Sequence, residues 1–126
     1  MKRKSLWLDI PKLQDFQIGI ENLVFSLVEK YTGIRKQVIQ KKIRNASIVA
    51  ARQIFCFLMD KYNKLHHLEI GLIVGLDRST VAYSIKRVII LREIDKSFRA
   101  TLNKITSDLE RNLNETNNCK ITIYDR

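Results

Sequence analysis

Arg78, Ser79 and Thr80 stand directly behind the tight segment Gly75-Leu76-Asp77, and an apolar stretch from about Leu68 to Val74 precedes that segment. Helix, glycine-containing turn, helix is the outline of a helix-turn-helix. Glycine suits the turn because a position there often needs a positive φ. Val81, Ile85 and Val88 recur at helical spacing and are expected to pin the second helix, Arg78 to about Ile90, to a core. Arg78, Ser79, Ala82, Tyr83, Lys86 and Arg87 are left on its outer face. A guanidinium can pair bidentately with guanine in a major groove, and Ser or Thr can donate or accept there. Residues at the N-terminus of a recognition helix usually reach the base edges, and that end also favours phosphate. The chemistry implied is the reading of double-stranded DNA. The plainer alternative is a helical hairpin whose Arg78 and Lys86 are only solvated.

The charge agrees with a polyanionic partner. The 126 residues carry 23 Lys+Arg against 13 Asp+Glu, a formal net charge of +10. Between Glu29 and Asp60 there is no acidic residue, while Lys30, Arg35, Lys36, Lys41, Lys42, Arg44 and Arg52 fall in that interval. Such a block concentrates positive potential, for which nucleic acid is the commonest partner. The length is one domain's worth and can bury a core without disulfide or metal staples. Four glycines and one proline disfavour small all-β folds. No apolar run approaches the roughly 18 residues of a membrane span, so no membrane partner is expected. Asp9 and Pro11 interrupt any signal-peptide core behind Met1-Lys-Arg-Lys. Two cysteines, Cys56 and Cys119, are too few for a secreted disulfide framework, and a cytoplasmic location is expected.

The elements that must position these residues read as all-α. Residues 1–17 form an N-terminal arm that docks by Trp7, Leu8 and Ile10. Residues 18–113 form the domain, and 114–126 a C-terminal tail, strand-like at Ile121 to Tyr124. Ile20, Leu23, Val24, Leu27, Val28 and Tyr31 mark one face of a first helix, stopped by Gly33. A short second helix spans about Arg35 to Lys42. Asn45 or Ser47 caps a third and central helix, with Ile48, Ala51, Ile54, Phe55, Leu58, Met59 and Tyr62 inward. A polar connection from Tyr62 to His67 leads to the helix-turn-helix, where Asp77 caps the recognition helix. A sixth, longer helix from near Asp95 shows Phe98, Leu102, Ile105, Leu109 and Leu113. Its distal half, joined by Trp7 and Leu8, offers a seam for a homodimer.

Three ordered blocks resemble the C-terminal DNA-binding domain of the bacterial replication initiator DnaA. Tyr31-Thr-Gly-Ile-Arg with Gln40-Lys-Lys-Ile-Arg is similar to "YGI … SKRR", and Ser47-Ile-Val-Ala-Ala-Arg-Gln53 to "SVARPRQ". Glu69-Ile-Gly71, Gly75 to Val81 and Lys86-Arg-Val88 are similar to "EIG … GRDHTTV … RKI", with one residue fewer near Leu76. The resemblance covers roughly residues 18 to 95. It implies a six-helix, Trp-repressor-like helix-turn-helix domain. It also implies that Arg52 reaches a minor groove, where a narrow A·T-rich groove attracts arginine. By the same resemblance Asp77, Arg78, Ser79 and Thr80 read major-groove bases and phosphates, and His67 and Leu68 approach backbone and bases. Lys41, Lys42 and Arg44 match a basic loop that lies on phosphates. The family His is Arg78 here, the Arg of "GRD" is Leu76, the Arg and Pro of "ARPRQ" are Ala50 and Ala51, and the Pro before "EIG" is Leu68. The binding mode carries over, and the preferred DNA sequence does not.

No G-x-x-x-x-G-K-[ST] occurs, so neither nucleotide nor any other cofactor is expected, and no enzymatic activity. His66 and His67 are adjacent rather than spaced as metal ligands, and no metal is expected. Cys56 lies among Ile54, Phe55, Phe57 and Leu58 and reads as a buried thiol, Cys119 as an exposed one. The reading is a stand-alone regulator, or an accessory factor of replication or of a mobile element, that binds double-stranded DNA. The alternative from another class is a helical protein-interaction module whose basic face docks an acidic partner. RNA ranks third, since no aromatic stacking platform accompanies the basic residues.

Overall fold

In the computed structural model the backbone is described from residue 11 to 124 and the side chains from 18 to 115. Six α-helices are present among the described residues: α1 (Pro11–Thr32), α2 (Lys36–Ile39), α3 (Ala46–Leu58), α4 (His67–Val74), α5 (Arg78–Ile94) and α6 (Lys96–Tyr124). A π-helical segment, Met59–Asn63, continues α3. The architecture is an all-α helix-turn-helix domain.

The periodicities that predict the helices are the ones that bury. On α1, Ile20, Val24, Leu27 and Val28 enter the core, and Leu23 and Tyr31 pack at its margin. Phe25 is also buried, off that stripe, because its ring stacks on Phe55 at 4.2 Å between centroids. Every residue from Ile54 to Met59 is buried, which makes α3 the central helix. α5 turns Val81, Ile85 and Val88 inward, and α6 turns Leu102, Ile105 and Leu109 inward. Asn45 caps α3 by accepting from the Ser47 amide at 2.9 Å. Arg99 closes the α5–α6 corner by donating to the carbonyls of Arg92 and Glu93.

Three expectations are corrected. Helix α1 begins at Pro11, inside the predicted arm. Proline is favoured at a first helical position because its missing N–H is one that the helix could not pair anyway. Trp7, Leu8 and Ile10 lie outside the described residues. At the other end the strand-like reading of Ile121 to Tyr124 fails, because α6 runs on through Tyr124. No glycine or proline stands between Asp95 and Arg126 to stop it. The polar connection from Tyr62 is partly the π segment, which Lys64 ends in a left-handed conformation. The side chain of Cys119 is outside the described set.

One polar cluster ties α1 to α6. Asp108 is buried and accepts from the Tyr31 hydroxyl, from Lys30 Nζ at 3.2 Å and from Arg111. These donors, the Tyr31 hydroxyl foremost, hold the Asp108 carboxyl below its ordinary value. A carboxylate depressed in the folded state stabilises above its unfolded pKa and loses that contribution as pH falls through the folded value. Wild-type protein is therefore expected to keep this contribution to urea resistance from neutral pH down to about pH 5 and to lose it as pH falls further, through and below the ordinary carboxylate value of about 3.9. Asp108→Asn should start lower at neutral pH and fall less on acidification. Parallel wild-type and variant curves would rule out the cluster as the source.

Candidate nucleic-acid interface

The helix-turn-helix is built around two glycines. Gly75 adopts φ 76°, the left-handed conformation that ends α4. Gly71 accepts the amides of Gly75 and Leu76 at 2.7 and 2.9 Å, so the turn folds directly onto it. Leu76 O lies 2.2 Å from where a Gly71 Cβ would stand, leaving no room for a side chain. Asp77 then caps α5 by accepting from the Thr80 amide at 2.7 Å, and Thr80 holds its carboxyl below the ordinary value. Asp77 is thus occupied at the first turn, and Arg78, Ser79 and Thr80 are exposed beside it.

The predicted residues converge on two concavities. A groove of about 440 Å³ is lined by His67, Leu68 and Arg78 with Asp60, Leu65, His66 and Glu69. A smaller cup of about 150 Å³ lies between the basic loop and the turn, lined by Lys41, Lys42, Ile43, Arg44, Arg52, Val74, Gly75 and Leu76. Tyr83, Lys86 and Arg87 are exposed farther along α5. The first groove unites the His67-Leu68 pair with Arg78, and the second unites the loop cations with the turn. His67 also carries a contact the sequence did not suggest. Its Nε2 lies 3.3 Å from Oδ1 of Asp60 in the π segment.

Arg52 turns inward in this structure and is 8% exposed. Its Nε donates to Ile39 O at 2.9 Å, and one terminal nitrogen donates to Lys41 O and to Ile43 O. Burial lowers its pKa from the ordinary value, with Cys56 beside it acting the other way. The same burial pushes the Cys56 thiol up to about 12, so it is a protonated, packed group at neutral pH. The physical reason for the inward turn is the helix face. Ile48, Arg52, Phe55 and Met59 share one face of α3 and its continuation, and Phe55 and Met59 are fully buried. A guanidinium on that face must satisfy its donors internally, and the loop carbonyls are its acceptors. Arg52 is therefore a loop-holding residue.

A lysine cannot fork to three carbonyls. Arg52→Lys is expected to cost about 1–3 kcal/mol of stability, the range for leaving buried acceptors unpaired. Urea unfolding measures it, and a midpoint equal to wild type would show that the fork contributes nothing.

The sequence signals missed were Gln40, whose Nε2 donates to Ile73 O at 2.8 Å, and Asp60 beside His67. Both partners are distant in sequence or lie beyond a break in helical period, so no local pattern marks them.

The comparisons with known proteins agree with this geometry. Residues 22–88 match the family model described as bacterial dnaA protein helix-turn-helix. The chain is 33% identical over 89 residues to the chromosomal replication initiator protein DnaA of Bacteroides thetaiotaomicron, covering 70% of this chain and 19% of that protein. It is 29% identical over 97 residues to the DnaA of Borreliella afzelii, covering 76% and 20%. The DnaA of Kosmotoga olearia is 31% identical over 68 residues, 54% of this chain and 15% of that protein. The chain thus spans about a fifth or less of the length of these relatives. The matched region is described as a helix-turn-helix, and no G-x-x-x-x-G-K-[ST] occurs within these 126 residues. With residues 22–88, more than half of its length, matched in this way, the chain belongs to the bacterial DnaA helix-turn-helix family.

Proposed function

We propose that this protein binds double-stranded DNA sequence-specifically, with α5 in a major groove from Arg78 onward and the loop 41–44 on the sugar–phosphate backbone. Family membership supports DNA as the partner. The observation that carries the finer reading is the pair of concavities flanking the helix-turn-helix, one holding Arg78, His67 and Leu68 and the other Lys41, Lys42 and Arg44. Phosphate contacts fix register and base contacts specify. Arg78, Ser79 and Thr80 are the base readers, with Asp77 holding the helix end. Tyr83, Lys86 and Arg87 extend the contact along the groove wall. Arg52 serves by shaping the loop.

The role is that of a regulator, or of an accessory factor to replication or a mobile element, in a bacterial cytoplasm. A second copy packed along the distal half of α6 belongs to the same reading, and sedimentation with and without DNA tests it.

Selection of bound duplexes from a random library, at a stated salt concentration, tests the function. An enriched motif is expected. Weak, salt-sensitive binding without enrichment would overturn sequence-specific recognition and favour a protein partner. Neutralising Lys41 and Lys42 together is expected to weaken all duplexes alike and to reduce the slope of log K against log salt by about 2. An unchanged slope would remove the loop from the phosphate backbone.

A further inference from the structure

The loop and the helix-turn-helix are joined by a side chain that faces neither concavity's chemistry. Gln40 ends α2, and its Nε2 donates to the backbone carbonyl of Ile73, 2.8 Å away and 33 residues on. Ile73 is in the last turn of α4, whose carbonyls have no partner within the helix. Gly71 O in that turn takes the amides of Gly75 and Leu76, and Ile73 O takes Gln40. The backbone of Gln40 also lies close, its carbonyl 3.9 Å from the Cβ position of Gly75. On the inner side Arg52 holds the carbonyls of Ile39, Lys41 and Ile43. Lys41 and Lys42 therefore leave a segment fixed at both margins, to α3 through Arg52 and to the turn through Gln40.

We propose that Gln40 is a positioning residue that sets the register between the loop's phosphate contacts and the base contacts of α5. The proposal rests on the DNA-binding reading above. Two sets of contacts on one duplex must be made together, and a rigid link between them lowers what must be ordered on binding. Non-specific binding needs only phosphates and tolerates a shifted loop. Specific binding requires loop and recognition helix to agree. Gln40 itself touches neither base nor phosphate in this scheme.

The test uses Gln40→Met, which keeps length and neutrality and removes the donor. Affinity is measured for the duplex enriched by selection and for a scrambled duplex, across a salt series, with thermal unfolding in parallel. The expected result is a fall of about three- to tenfold in affinity for the enriched duplex, the worth of one neutral hydrogen bond. Affinity for the scrambled duplex and its salt slope should stay at wild-type values. Gln40→Glu, which also lacks the amide donor, should show the same loss in the ratio of the two affinities, although its charge weakens both. A role confined to folding would lower the melting temperature and leave the ratio unchanged, which overturns the proposal. A wild type that prefers no duplex overturns the DNA reading, and the proposal with it. A wild type with a clear preference that both variants retain overturns the proposal alone.

Discussion

Arg78→Ala is expected to lower affinity for the preferred duplex by about 5- to 150-fold, the equivalent of 1–3 kcal/mol for one bidentate base contact. Arg78 is exposed at the first turn of α5 and lines the same groove as His67 and Leu68. The neighbouring Asp77 is held by the Thr80 amide, so it does not neutralise the guanidinium by pairing across it. Truncation at this position removes a donor fork and leaves the fold intact, because the side chain packs on nothing in the core. The loss should be unequal across sequences: large for the preferred site, small for a scrambled one. Repeating the selection with the variant should relax the motif at one base pair. A variant with the wild-type motif and affinity would place the base-reading surface elsewhere on the molecule. Alanine at Lys41 or Lys42 should behave in the opposite way, weakening every duplex and leaving the motif untouched.

Gly71→Ala is expected to be the most damaging single methyl group in the chain. The added Cβ would stand 2.2 Å from Leu76 O, 3.2 Å from Leu76 C and 3.5 Å from Val81 Cγ2. The nearest atoms are backbone, so no side-chain rotation relieves the contact. The turn must move off α4, which breaks the Gly75 and Leu76 amide bonds to Gly71 O and tilts the start of α5. Overpacking of this kind costs about 1–3 kcal/mol or more. At roughly 4 °C per kcal/mol for a chain of this size, the melting temperature should fall by about 4–12 °C. Base discrimination should fall with it, even where the variant remains folded, since Arg78 rides on the displaced helix. Gly19→Ala is the control: that position has nothing within 4 Å on α1. Alanine favours helix over glycine by about 1 kcal/mol, so this variant should melt at or above wild type. Equal melting temperatures for the two variants would mean that the turn yields freely.

The geometry of the turn explains why several family-like features survive with different side chains. Gly71 and Gly75 are fixed by backbone approach and by a left-handed φ, demands that no side-chain chemistry can replace. Leu76, by contrast, stands in the wall of the basic cup, where the resemblance implies an arginine. Arg78 stands where it implies a histidine. Arg78 is exposed, whereas Leu76 is half-buried and packs against the core.

Much of the fold follows from local pattern. Ile20, Val24, Leu27 and Val28 lie on one face because a helix brings residues three and four apart together, and that face finds the core wherever the core is. Asn45 and Asp77 announce helix starts because a side-chain oxygen can satisfy an amide two or three residues on. The glycine turn, the recognition helix and the acid-free block from Lys30 to Arg52 are equally legible, since each depends on neighbours in sequence. What the chain alone does not decide is the direction of a long polar side chain once several partners are within reach. Arg52 reads as a cation to be offered outwards, yet its place on the face of Phe55 and Met59 sends it inward to three loop carbonyls. Gln40 meets Ile73, and His67 meets Asp60, only because α2, α4 and the π segment after α3 are packed side by side. Local sequence determined which helices form and which faces they bury. Tertiary packing decided which polar groups meet across them, because a hydrogen bond is set by ångström-scale distance and direction that no helical period specifies.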